Sequence, residues 1–169
     1  MAYKRIQLDI DEYERCVRSD SSRGRCFVCE IVAGVREDQA VIFRDDLCIA
    51  FLAKWPTLLG YTLVAPLEHR TDVVGGFTED EYAEFQRRIH RIGRAISASV
   101  PTERLYVLTL GSHQGNAHVH WHLAALPPAV AYREQQYASL MHENGYLDVP
   151  EADQAALARQ IYGHLREPD

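Results

Sequence analysis

Three histidines alternate with two apolar residues at His118-Val119-His120-Trp121-His122. Imidazole changes charge near neutral pH, binds metals and attacks electrophiles. In a strand successive side chains point to opposite faces. The spacing therefore predicts three imidazoles on one face, with Val119 and Trp121 on the other. The chain has only eight histidines in 169 residues, so three on one strand face point to chemistry there. The plainer alternative is a histidine-rich surface strand.

A second chemical signal is Cys26-Phe27-Val28-Cys29. Two thiolates at this spacing bind zinc, and structural zinc takes four ligands. His69 and His118 are the candidates that would complete a Cys26, Cys29, His69, His118 set. Two other readings stay open. A redox pair needs a thioredoxin-like βαβ context, which the pattern does not supply. Two small buried hydrophobes are the plain case. Cys16 and Cys48 are the remaining cysteines.

The elements that must position these residues follow from periodicity. Ala40–Phe43 and Leu47–Leu52 read as strands around the turn Arg44-Asp45-Asp46, and Gly60–Ala65 as a third strand stopped by Pro66. Residues 78–100 read as a long helix. Thr78 caps it, Glu79 and Asp80 suit its start, and Tyr82, Phe85, Ile89, Ile92 and Ile96 recur at helical spacing. Arg87, Arg88, Arg91 and Arg94 read as its solvated face. Leu105–Leu110 and His118–Leu126 are the fourth and fifth strands, the last ended by Pro127-Pro128. Helical stretches are expected at residues 3–18, Cys26–Val32, Arg133–Glu143 and Glu151–Leu165, with Pro150 opening the last. This order predicts an α+β fold: a five-stranded, mostly antiparallel sheet, one long helix and extra N- and C-terminal helices.

Composition narrows the partners. Hydrophobic content of 47% and charged content of 25% are those of a globular chain with a core. The net charge of −6 argues against non-specific nucleic-acid binding. No apolar run reaches the length of a membrane span, and residues 1–14 lack a signal-peptide core, so a cytoplasmic location is expected.

Residues 26–127 resemble the histidine triad superfamily of nucleotide hydrolases and transferases. The family motif, His-x-His-x-His and two apolar residues, is matched by His118-Val119-His120-Trp121-His122-Leu123-Ala124. An upstream segment is matched by Ala50-Phe51 and by Gly60-Tyr61-Thr62-Leu63-Val64-Ala65-Pro66-Leu67-Glu68-His69. Cys26 and Cys29 match the opening of many bacterial members. The flanks, an N-terminal extension at 1–25 and a C-terminal helical extension at 128–169, lie outside the resemblance.

The resemblance implies an activity. His120 would attack the α-phosphorus of a nucleoside phosphoramidate or dinucleoside polyphosphate. Water would then release a nucleoside monophosphate from the covalent nucleotidyl-histidine. His122 would support charge and protons, and Gln114 would contact phosphate, with Ser112 and Asn116 beside it. Phe27, Val28, Ile31 and Phe51 match a base pocket, and Lys54 is a candidate phosphate contact. Structural zinc would sit on Cys26, Cys29, His69 and His118. Members commonly form homodimers that join their sheets.

Two departures stand out. Tyr61 occupies a position where many relatives carry a histidine near the site. Ala53 replaces an Asp or Asn that binds ribose hydroxyls. The rival readings are a nucleotidyl transferase or phosphorylase, and a non-catalytic nucleotide-binding module.

Overall fold

The computed structural model describes residues 3–11, 13–15, 24–36, 38–111 and 117–167. Cys48–Leu52 (β3) is buried at every position, which requires a strand covered on both faces. It lies inside a five-stranded sheet with β2 (Val41–Arg44), β4 (Thr62–Pro66), β5 (Arg104–Thr109) and β6 (Trp121–Leu126). The order is β2-β3-β4-β6-β5, and every ladder is antiparallel. Asp45 turns the β2–β3 hairpin, its carboxylate accepting the N–H groups of Leu47 and Cys48 at 3.0 and 2.9 Å.

The period of two sorts the sheet into faces. Val119, Trp121, Leu123 and Ala125 enter one core with Phe85, Ile89, Ile92 and Ile96 of the long helix. That helix is α2 (Glu79–Ser99); the short α1 (Phe27–Val32) covers the opposite face with Val28 and Ile31 against Ile49, Phe51 and Ala65. Thr78 and Glu81 form a capping box at the start of α2. Gly93 lets α2 approach the sheet closely: a Cβ there would stand 2.8 Å from a Leu105 methyl. The C-terminal helix α4 (Glu151–Arg166; α3 is the single turn Tyr137–Leu140) adds Ala158, Ile161 and Leu165 to the α2 side. Among the described residues no helix is long and apolar enough to cross a membrane.

Four local expectations change. Within the expected helix at 3–18, Arg5–Ile6 is instead a short strand, β1, paired with β7 (Tyr146–Leu147), and helical backbone is confined to residues 10, 11 and 13–15; residues 12 and 16–18 lie outside the described residues. The Arg5 guanidinium holds the extended chain by donating to the Gly145 and Thr57 carbonyls at 2.7 and 2.9 Å.

The stretch 133–143 is broken into two 3-10 turns around α3. Gln136 sits at φ 55° with its N–H donating to the Tyr106 hydroxyl at 2.9 Å, which interrupts the helical path.

The triad strand begins at Trp121 rather than His118. The Val119 N–H donates instead to the Arg70 carbonyl at 2.7 Å, which pulls residues 118–120 out of the ladder and onto the β4 exit.

The arginine face of α2 is only partly solvated. Arg88 pairs with Asp45 at 2.9 Å, and Arg91 donates to the Leu165 carbonyl at 3.4 Å.

Candidate active site and metal centre

The residues leaving β4 and those entering β6 lie side by side. The His118 Nε2–H donates to the Pro66 carbonyl at 2.9 Å, one strand end to the next. This turns Nδ1 of His118 toward two sulfurs, Cys26 Sγ at 3.5 Å and Cys29 Sγ at 3.6 Å. His69, three residues past the end of β4, brings its Nδ1 to 3.3 Å from Cys29 Sγ. The ligand atoms of Cys26, Cys29, His69 and His118 all lie within 4.8 Å of one another.

Sulfur and nitrogen donors on one tetrahedral zinc stand about 3.5 Å apart. The four residues thus fit a closed zinc site in donor type and in spacing. Cys26 also caps α1, its sulfur facing the Cys29 N–H at 3.5 Å, so the helix start presets the thiol pair. Burial pushes His118 down to about 4, which keeps it a neutral ligand. Burial, with Cys26 adding to it, pushes the Cys29 thiol up to about 11. A bound cation reverses that preference, because metal ligation deprotonates thiols.

His120 is nearly enclosed, at 4% exposure, and burial lowers its pKa, so the ring is neutral near pH 7. Its Nδ1–H donates to the His118 carbonyl at 2.7 Å. A neutral imidazole carries one ring proton, so this bond leaves the free lone pair on Nε2. The Thr109 hydroxyl donates to the His120 carbonyl at 2.9 Å and fixes the backbone beneath it. His120 lines a cavity of about 160 Å³ with Thr71, Val73, Thr109, Leu110, Gly111, Ala117 and Val119.

The His122 ring lies 4.7 Å from that of His120, tilted 58° to it, and burial pushes it down to about 4, with His120 adding to the effect. Tyr61 meets it edge-on, its hydroxyl 3.2 Å from Nδ1. Burial pushes that phenol up to about 12, so it keeps its proton.

The other sequence candidates divide by place. Phe27 reaches the site, its ring 5.7 Å from that of His120 and 6.4 Å from that of Phe51. Val28, Ile31 and Phe51 are buried together behind it. Lys54 lies on the surface, paired with Asp38 at 2.8 Å and 5.6 Å from the Trp55 ring centre. Ala53 is half-buried beside Leu58, Tyr61 and Leu140. Ser112, Gln114 and Asn116 lie outside the described residues.

One organising residue escaped the sequence reading. Arg70 makes a two-pronged pair with Glu81 at 2.8 and 3.2 Å, donates to the Gly76 carbonyl at 2.8 Å and covers the Phe77 ring at 4.5 Å. It ties the β4 exit, with His69, to the cap of α2. The Thr78-x-x-Glu81 box is the readable half of this contact; nothing local marks Arg70 as its partner.

An antiparallel five-stranded sheet backed by one long helix, with alternating imidazoles at the start of an inner strand, defines a triad-histidine α+β domain. Residues 35–127 match the family model of the HIT domain, and the chain belongs to that family. The matched region begins after Cys26 and Cys29. An uncharacterised HIT-like protein of Saccharolobus solfataricus is 28% identical over 103 residues, 60% of this chain and 73% of the relative.

Two solved structures share the fold. One is a hypothetical histidine triad nucleotide-binding protein from Sulfolobus tokodaii, with a TM-score of 0.67, 21% identity, and coverage of 83% of this chain and 91% of the other. The second is a zinc-bound histidine triad family protein from Mycobacterium smegmatis, with a TM-score of 0.64, 20% identity, and coverage of 83% and 92%.

Proposed function

We propose that the protein is a nucleotide hydrolase acting through a covalent intermediate on His120. The observation that carries this reading is the Nδ1–H bond from His120 to the His118 carbonyl, at 2.7 Å. It leaves Nε2 unprotonated on a neutral ring beside a cavity, which is the state a nucleophilic imidazole needs.

The sequence has two displacements. Nε2 of His120 attacks the α-phosphorus, and the bond to the leaving oxygen or nitrogen breaks with its electron pair on the leaving group. A polyphosphate departs as an anion; an amine takes up a proton from water. Water then attacks the same phosphorus and gives up a proton to solvent, the phosphorus–nitrogen bond breaks with its electron pair returning to Nε2 of His120, and a nucleoside monophosphate leaves. Splitting one hard displacement into two easier ones is the gain. Phe27, with Phe51 behind it, offers an aromatic wall of the kind that suits a base.

Cys26, Cys29, His69 and His118 would hold zinc with all four positions filled, and the metal would then tie the two strand ends together. His118 is thereby structural and His120 reactive, although only one residue separates them.

Dimerisation belongs to the same reading. The sheet ends in β5, an edge strand whose Val107 is 49% exposed, and an unpaired edge of this kind can pair with a second copy.

The test is a screen of nucleoside phosphoramidates and dinucleoside polyphosphates, read by monophosphate release. Turnover of at least one class is expected. Binding without turnover of any of them would refute the hydrolase reading and favour a non-catalytic module.

A further inference from the structure

Tyr61 touches the triad directly. Its hydroxyl lies 3.2 Å from Nδ1 of His122, and the two rings meet edge to face with centroids 5.8 Å apart. Tyr61 is 8% exposed and packed with Leu58 and Ala124, with Tyr106 and Leu140 against the same cluster. This is the hydrogen bond that its hydroxyl makes among the described residues. A buried phenol needs an acceptor for its proton, and the Nδ1 lone pair is the acceptor in reach. With Nδ1 accepting, the ring proton of a neutral His122 must sit on Nε2.

We propose that Tyr61 is a positioning residue that locks His122 in its Nε2–H tautomer, so that His122 presents a hydrogen-bond donor to the phosphoryl group attacked by His120. The inference rests on the hydrolase reading for its chemistry, but not for its geometry. The neighbouring rings then hold opposite tautomers without any difference in charge. His120 has a carbonyl at Nδ1 and a lone pair at Nε2; His122 has a hydroxyl at Nδ1 and a proton at Nε2.

The far side of His122 agrees with a donor awaiting a partner. Its Nε2 is buried and has no partner of good geometry among the described residues, while the Leu110 carbonyl lies near enough to the ring to favour an N–H on it. Such a donor costs stability in the resting protein and is used when an acceptor arrives. A non-bridging phosphoryl oxygen is an acceptor of the right chemistry, and it gains negative charge as His120 attacks. A fixed donor in a dry site stabilises that charge without reorganising. The opposite tautomer would aim a lone pair at the same oxygen and repel it.

Nitrogen-15 spectra of histidine-labelled, metal-loaded protein read the tautomers without substrate. The expected result is Nε2–H for His122 and Nδ1–H for His120. In Tyr61→Phe, His122 should become a mixture while His120 and zinc content stay unchanged. In turnover of a nucleoside phosphoramidate, Tyr61→Phe should lower kcat about tenfold with little change in KM, since the interaction is made in the transition state.

In a His122→Ala background the same substitution should cost nothing further, because Tyr61 acts through that ring. An Nδ1–H tautomer at His122 in the unsubstituted protein would overturn the inference, and so would a Tyr61→Phe loss that persists in full without His122. Correct tautomers in a protein that turns over no nucleotide would instead overturn the hydrolase reading and leave the tautomer lock standing.

Discussion

The imidazoles of His118 and His69 stand 4.8 Å apart, centroid to centroid, although 49 positions separate them in the chain. They meet because β4 and β6 are neighbours in the sheet, and because His118 donates to the carbonyl that ends β4. The first triad histidine is therefore turned toward the cysteines, and away from the chemistry assigned to its neighbours.

Purified protein is expected to hold about one zinc per chain, measured by elemental analysis. Removing it with a chelator should cost about 3 kcal/mol or more, lowering Tm by on the order of 10 °C in a domain of this size. Metal-free protein with an unchanged Tm would contradict the site. Cys29→Ser and His118→Ala should both reduce zinc content; His122→Ala should not.

His120→Ala should retain zinc and fold, but lose kcat/KM by roughly 10³-fold or more, since the neighbouring His118 donates from its Nε2 to the Pro66 carbonyl and is turned to the cysteines. Trapping radiolabelled nucleotide on protein quenched in alkaline detergent, where a phosphorus–nitrogen bond survives, should succeed with the unsubstituted chain and fail with this variant. A labelled adduct in His120→Ala would assign the nucleophile elsewhere.

Acid should weaken the β4 exit through Glu81. Hydrogen bonds from Arg70, and then from Thr78, hold its carboxylate at about 2, below the ordinary 4.5. The folded protein therefore binds this proton more weakly than the unfolded chain does. Its stabilising effect is fully present above about 4.5 and is lost as pH falls toward about 2. Glu81→Gln should flatten this part of a Tm-against-pH curve and leave Tm near pH 7 lower than in the parent. Superimposable curves below pH 4.5 would argue against the Arg70 pair as its cause.

Gly145 makes the join between the N- and C-terminal segments. It sits at φ 82°, where L-residues are strained, and a Cβ there would meet the Ile6 carbonyl oxygen at 2.6 Å. Gly145→Ala should cost about 2 kcal/mol or more by strain and clash. Hydrogen exchange should find the amides of Leu147 and Asp148 less protected, since they donate to Pro56 and Lys4 across this join. Unchanged protection at both amides would show that the join tolerates a side chain.

Much of the frame is legible in the chain. The strands around Asp45 and the helix from Thr78 follow from short-range periodicity and from a four-residue capping box, which local sequence specifies well. The apolar spacing of residues 133–143 is helical, while the break at Gln136 comes from the distant Tyr106 hydroxyl. Arg88 reads as solvated because its partner, Asp45, lies 43 positions away. The start of the triad strand moves for the same kind of reason: the Arg70 carbonyl competes for the Val119 N–H and wins.

By itself the sequence determined the chemical inventory: three alternating imidazoles, a thiol pair, and a strand period that sets the histidines opposite Val119 and Trp121. Residue types and near-neighbour spacing are enough for that, because strand alternation is a property of the backbone. Only the tertiary structure decided which partner meets each nitrogen of the three rings. The role of an imidazole depends on which partner meets each nitrogen, and the partners here are a strand-end carbonyl, a cysteine pair and the Tyr61 hydroxyl. Those come from elements far apart in the chain, brought together by sheet order and by burial, and no local pattern encodes such meetings.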